Sequence, residues 1–148
     1  MALTTEEVQE SVLALLRDNM AQRVEEIAIP EAETLIRNKH GKIDPYLAIQ
    51  FGDMQTRYMS GRSFIGPRYE NHELPVYVQV VSPNPEIGRK LKNRVDDLLL
   101  GSEHPYSSLM RKRLGGGMWP VIGSNRATEA YIYPSSYGVN FQPDTEYN

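Results

Sequence analysis

A chain of 148 residues with a formal net charge of −3 and no cysteine is long enough for one domain that buries about 70% of the surface its extended form exposes. These values exclude a disulfide framework and cysteine-based metal sites, and they argue against a protein held to nucleic acid by general attraction to phosphate. The acidic opening, Met1 to Glu7, predicts no signal peptide, and no apolar run approaches the roughly 20 residues of a spanning helix, so no membrane partner is expected.

Thr4 followed by Glu7 forms a capping box, and Val8, Val12, Leu15, Leu16, Met20, Val24 and Ile27 recur at helical spacing. The pattern predicts an amphipathic helix that stops near Ile29, because Pro30 disfavours helical geometry in the residue before it. Pro30 to Asp44 reads as a connection. Leu47, Ile49 and Phe51 alternate within Tyr46 to Phe51, and Val76, Val78 and Val80 within Leu74 to Val81, so each segment is expected to be a strand. The intervening segment, Asp53 to Glu73, is an extended loop far longer than a tight hairpin. It is rich in arginine and aromatic residues, unlike a passive linker.

Asn84 as cap with Pro85 at the first helical position starts a second helix, with Ile87, Leu91, Val95, Leu98 and Leu99 as its buried stripe and Gly101 as its stop. His104 to Leu114 suggests a short helix, and Gly115-Gly116-Gly117 a hinge or tight bend. Met118 to Ile122 and Thr128 to Tyr133 read as two further strands. The order predicts an α+β domain over residues 1–133, a small, mainly antiparallel sheet with two amphipathic helices on one face. Residues 134–148, opening on Pro134, are expected to be a C-terminal arm or tail.

The residues carry no recognisable chemistry. Gly61-Arg62-Ser63-Phe64-Ile65-Gly66 has one residue too many for a nucleophile elbow, and His40, His72 and His104 lack metal-ligand spacing. Gly115-Gly116-Gly117 lacks the ending of a phosphate loop. Asp96-Asp97 and Glu6-Glu7 are adjacent pairs that point about 100° apart and read as helix surface. No catalytic, cofactor-binding or metal-binding residue is therefore expected, and no cofactor. Charge is uneven: residues 1–37 carry eight acids and three bases, residues 86–113 seven bases and four acids. Such polarity suits head-to-tail contact between copies, and equally two solvated faces. Arg89, Lys90, Lys92 and Arg94 form a candidate basic face toward a neighbouring subunit or a channel. With Arg111-Lys112-Arg113, and with Tyr106 and Trp119 as stacking platforms, this stretch is the best case for a nucleic-acid groove.

Ile43-Asp44-Pro45-Tyr46-Leu47-Ala48-Ile49-Gln50-Phe51-Gly52, Gly61-Arg62-Ser63 leading to Leu74-Pro75-Val76, and Val80-Val81-Ser82-Pro83 running into the helix that ends Leu99-Leu100-Gly101 resemble, in order and spacing, tail terminators of siphophages, especially those infecting actinobacteria. The resemblance spans roughly residues 29–101. It implies a non-enzymatic virion protein of the tail-neck junction, assembled in the host cytoplasm as a hexameric ring. Such a ring caps the tail tube, ends its polymerisation and offers a docking face to the head-completion or stopper protein. Genomic DNA would pass through the channel without specific binding. In that setting Arg57, Tyr58, Met59, Phe64 and Tyr69 are expected to anchor a neighbouring subunit or the tube, since aromatics, Met and Arg are enriched in interface cores. The alternative is a loop folded over its own sheet. Another head-tail connector component, a head-completion or adaptor subunit, would share size and assembly. A DNA-binding regulator would instead predict a helix-turn-helix pair, but strands separate the two clear helices.

Overall fold

The computed structural model describes residues 4–28, 30, 34–58, 70–101, 110–115 and 117–141. The capping box forms as the sequence predicts: the Thr4 hydroxyl accepts from the Glu7 N–H at 3.1 Å and the Glu7 carboxylate accepts from the Thr4 N–H at 3.4 Å. Helix α1, Thr5–Asn19, buries Val8, Val12, Leu13 and Leu16. It ends well short of Ile29. Met20 is already extended, and strand β1, Arg23–Glu26, pairs in parallel with β2, Tyr46–Phe51, in the register Val24↔Leu47. Met20 and Val24 are apolar at helical spacing, but Val24 is buried between outward Arg23 and Glu25, and pairing with β2 overrides the local preference. The Arg17 guanidinium ties the end of α1 to this turn, donating to the Val24 carbonyl at 3.3 Å.

Two strands of 13 residues form the centre of the sheet, β4, Glu70–Ser82, and β7, Thr128–Asn140, antiparallel from Glu73↔Asn140 to Ser82↔Tyr131. Each carries two short strands in tandem on its outer side. Along β4 these are β2 and β3, Gln55–Tyr58; along β7 they are β5, Met110–Gly115, and β6, Trp119–Ile122. The path β1-β2-β4-β7-β5, with β3 beside β4 and β6 beside β7, makes a seven-stranded sheet in which, among the described strands, only β1 and β2 run parallel. With α1 and α2, Pro85–Leu100, it makes the expected α+β fold.

Several boundaries differ from the sequence reading. Pro134 does not begin an arm: residues 134–140 continue β7 through the middle of the sheet. The proline is tolerated because β6 pairs with β7 only up to Ile132 and β5 only from Ser135, which leaves a local edge where a missing N–H costs little. Pro75 occupies the equivalent gap on β4, between Glu73 paired with β3 and Val76 paired with β2. The long segment from Asp53 is strand at both ends, as β3 and the start of β4, and 59–69 lies outside the described residues. Met110–Gly115, expected as a short helix up to Leu114 and a bend from Gly115, is strand: Met110 is buried while Arg111 and Arg113 share the opposite face.

Both helices pack on one face, where Leu47, Ile49, Leu74, Val76, Val78 and Val80 meet Val12 and Leu16 of α1 and Val95 and Leu99 of α2. A smaller core lies on the other face, built from Leu35, Ile43, Tyr46, Ala48, Val81, Val121 and Ile132. The connection before β2 covers that face, held by the Ile36 N–H to the Tyr46 hydroxyl at 3.3 Å and by Arg37 to Glu129 at 2.7 Å.

Asn84 caps α2 by accepting from the Glu86 and Ile87 N–H groups at 2.9 and 3.3 Å. Ile87, expected in the buried stripe, is 41% exposed, and Gly88 is buried instead. The Tyr133 ring lies where a Gly88 side chain would be, and its hydroxyl donates to the Pro85 carbonyl at 2.9 Å. Gly88→Ala should therefore lower stability by about 1–3 kcal/mol through overpacking. Urea denaturation reads this, and an unchanged midpoint would mean that α2 is not held this closely.

Candidate functional site

Of the residues proposed as anchors, two are described, through their backbone pairing. Arg57 and Tyr58 lie on β3, paired in the backbone with Asn71 and Glu70, while Met59, Phe64 and Tyr69 fall outside the described residues, as do Tyr106 and the Gly61 to Gly66 segment. The basic set on α2 divides into two faces. Lys90 and Arg94 are exposed, with Lys90 reaching back to Glu86 at 3.7 Å, a surface pair of small worth. Arg89, also exposed, and half-buried Lys92 share the stripe of Asn93 and Asp96 and line a cleft of about 580 Å³ between α2 and the sheet, closed by Lys112 and Met118.

Asp96 organises that cleft. Its Oδ2 accepts from Lys112 Nζ of β5 at 2.7 Å, and its Oδ1 accepts from the Tyr137 hydroxyl of β7. One carboxylate thus clamps α2 to two strands, and read in sequence it is indistinguishable from its exposed neighbour Asp97. Because Asp96 is already engaged with Lys112, Arg89 and Lys92 leave the cleft net positive. The Lys92 ammonium is pushed below the usual lysine range, first by partial burial and then by Lys112, with Asp96 drawing it partly back. Tyr137 moves the other way: burial first and Asp96 second hold its hydroxyl protonated well above the ordinary 10.0.

The opposite face carries a second charge cluster absent from the sequence reading. Glu73 is 1% exposed, and it pairs with Arg111 at 2.8 Å through Oε2 and with Arg113 at 3.0 Å through Oε1. Gly138 permits this, since a side chain there would meet the Glu73 carboxylate. The period-two spacing of Arg111 and Arg113 was the available signal, hidden because the segment reads as helical.

The sheet also ends in two unlike edges. On one side β6 pairs, among the described strands, only with β7 and exposes Trp119 and Ile122, with Met118 just before it, at 38%, 48% and 43%. On the other, β1 pairs only with β2 among the described strands and carries Arg23, Glu25 and Glu26, with Arg23 bonded to Glu25 at 2.6 Å. Beside β1 opens a polar cleft of about 430 Å³ lined by Ala21, Arg23, Asn38, Asp44, Pro45 and Tyr46. A single transverse row of the sheet, Arg23↔Tyr46↔Val81↔Ile132↔Trp119, runs from that cleft to the exposed tryptophan.

His40 lies in an exposed turn and His72 on β4, while His104 lies outside the described residues; among the described residues no His, Asp and Glu group is placed to hold a metal.

The Tyr137 shift carries a pH consequence. A group protonated in the fold and ionising at 10.0 in the unfolded chain contributes stability that is complete below pH 10.0 and lost as pH rises beyond it. Tyr137→Phe should lower stability at pH 7 by about 1–3 kcal/mol, because Asp96 loses a partner, and should make the alkaline decline shallower. Urea titrations at neutral pH and at about pH 10.5 test both; an equally steep decline in the variant would assign it to other groups. In comparisons with known proteins, the chain matches no family model and no curated protein.

Proposed function

We propose that this chain is a structural ring subunit that terminates a phage tail tube and presents a docking face to the neck, and that it is not an enzyme. The observation carrying this reading is the pair of unlike open edges on one small sheet. A cyclic assembly with more than two copies needs two different complementary patches per subunit, and closure removes the edges that would otherwise invite uncontrolled pairing. An edge strand exposing Trp119 and Ile122 is a liability for a monomer and an asset for a ring member. The resemblance of residues 29–101 to siphophage tail terminators supplies the biological setting. The partners in this reading are further copies of the chain, the tail tube protein and the head-completion or stopper protein.

In such a ring the basic cleft of Arg89 and Lys92 faces a neighbouring copy, and DNA passes without being gripped, since a conduit that held phosphate tightly would slow its cargo. Light scattering after size exclusion, on the protein alone and mixed with its tail-tube protein, is the test. A ring near six times 16.8 kDa, or short capped tubes, is the expected outcome. A monomer that ignores tubes and binds duplex DNA would overturn the proposal.

A further inference from the structure

Resting on the ring reading above, we infer that the seam between copies is a sheet-to-sheet junction in which Trp119 on the β6 edge of one copy seats in the cleft beside β1 of the next. Strand directions permit it. β1 runs with β2, opposite to β4, while β5 and β6 run opposite to β7 and so with β4. Copies related by rotation alone, without inversion, would therefore bring β1 beside β6 in antiparallel orientation, the pairing that four-residue strands can make directly.

Height along the strands agrees. Rotation about a ring axis involves no axial shift, so when the strands run near that axis a row of one sheet meets the same row of its neighbour. The row that ends in Trp119 begins at Arg23 and Tyr46, the residues that wall the cleft. Tyr46, Val81 and Ile132 all belong to the core on the face away from the helices, so Trp119 and the cleft occupy the same side of the sheet. Its volume of about 430 Å³ is within the usual range for sites that take a small ring system, roughly 300–1,000 Å³. Arg23, held by Glu25, lays its guanidinium along the cleft wall, and the Asp44 carboxylate offers an acceptor to the indole N–H.

Charge on the helix face is complementary as well. Glu26 projects to the same face as Val24, and its row, Glu26↔Ile49↔Val78↔Ser135, ends at Gly115 on the far edge. The cleft of Arg89 and Lys92 is closed by Tyr133, two residues before Ser135, so Glu26 of one copy arrives beside uncompensated cations of the next. One face of the seam is thus aromatic and the other ionic.

The chain holds a single tryptophan and no cysteine, which makes the test clean. Gln22 and Pro120 flank the seam one row below Arg23 and Trp119, so the full chain carrying Gln22→Cys and Pro120→Cys, treated with a short bis-maleimide, should give a covalent ladder that ends at the closed ring. Either single variant should give none. Assembly should shift the tryptophan emission to shorter wavelength, and Trp119→Ala should weaken association on the order of thirtyfold while leaving the circular dichroism of the subunit unchanged. Rings seen by scattering without a ladder, or with emission unmoved, would sink the seam and leave the ring reading standing. A cross-linked dimer from a single variant, which signals a two-fold contact, would overturn the seam, and absence of any oligomer with or without tubes would overturn both.

Discussion

The antiparallel ladder between β4 and β7 is the contact on which the remaining packing depends. Strands β1, β2 and β3 attach to the sheet through β4, and β5 and β6 attach through β7, so ten paired positions from Glu73↔Asn140 to Ser82↔Tyr131 join the two halves. Val76, Val78 and Val80 on one strand and Tyr133, Tyr137 and Val139 on the other present a single apolar floor to both helices. Buried apolar area of this kind supplies most of the driving force for folding, and here it exists only once the two long strands are in register. The polar contacts are placed around that floor: Asp96 fixes α2 over β7 and β5, and Glu73 fixes β5 to β4 from beneath.

The central strands reach 13 residues although each contains a proline, because their outer neighbours are interrupted where the proline lies. Pro75 meets the break between β2 and β3, where its carbonyl accepts from the Gly52 N–H at 2.9 Å, and Pro134 meets the break between β5 and β6. Proline thereby marks a change of partner rather than the end of a strand.

That device explains much of what the amino-acid order conveys and what it hides. Strands β2 and the valine half of β4 are legible because strict alternation can have no other buried solution, and the two helix starts are legible because Thr4 with Glu7 and Asn84 with Pro85 act within one turn. What escapes a local reading depends on distant partners. Residues 134–140 look like a tail until β4 and β5 are placed on either side of them, and Val24 looks helical until β2 is beside it. The basic residues of α2 were visible as a group, but only Tyr137 and Lys112, arriving from two different strands, divide them into a cleft-facing pair and an outward pair.

Strand β1 is, with β3 and β6, among the lightly attached sheet elements of the described chain. It spans four residues, pairs on one side only, and is fastened to α1 chiefly by the Arg17 bond to Val24. Short edge elements of this kind open locally at free energies far below that of global unfolding, so in amide exchange the Val24 and Glu26 N–H groups belong to the least protected of the sheet. Where such an edge receives a neighbour, the fraction of chains with β1 in place scales the apparent affinity, and each arriving copy raises that fraction for the chain it joins. Fraying at one end of the sheet then becomes a source of cooperativity, which favours completed assemblies over fragments.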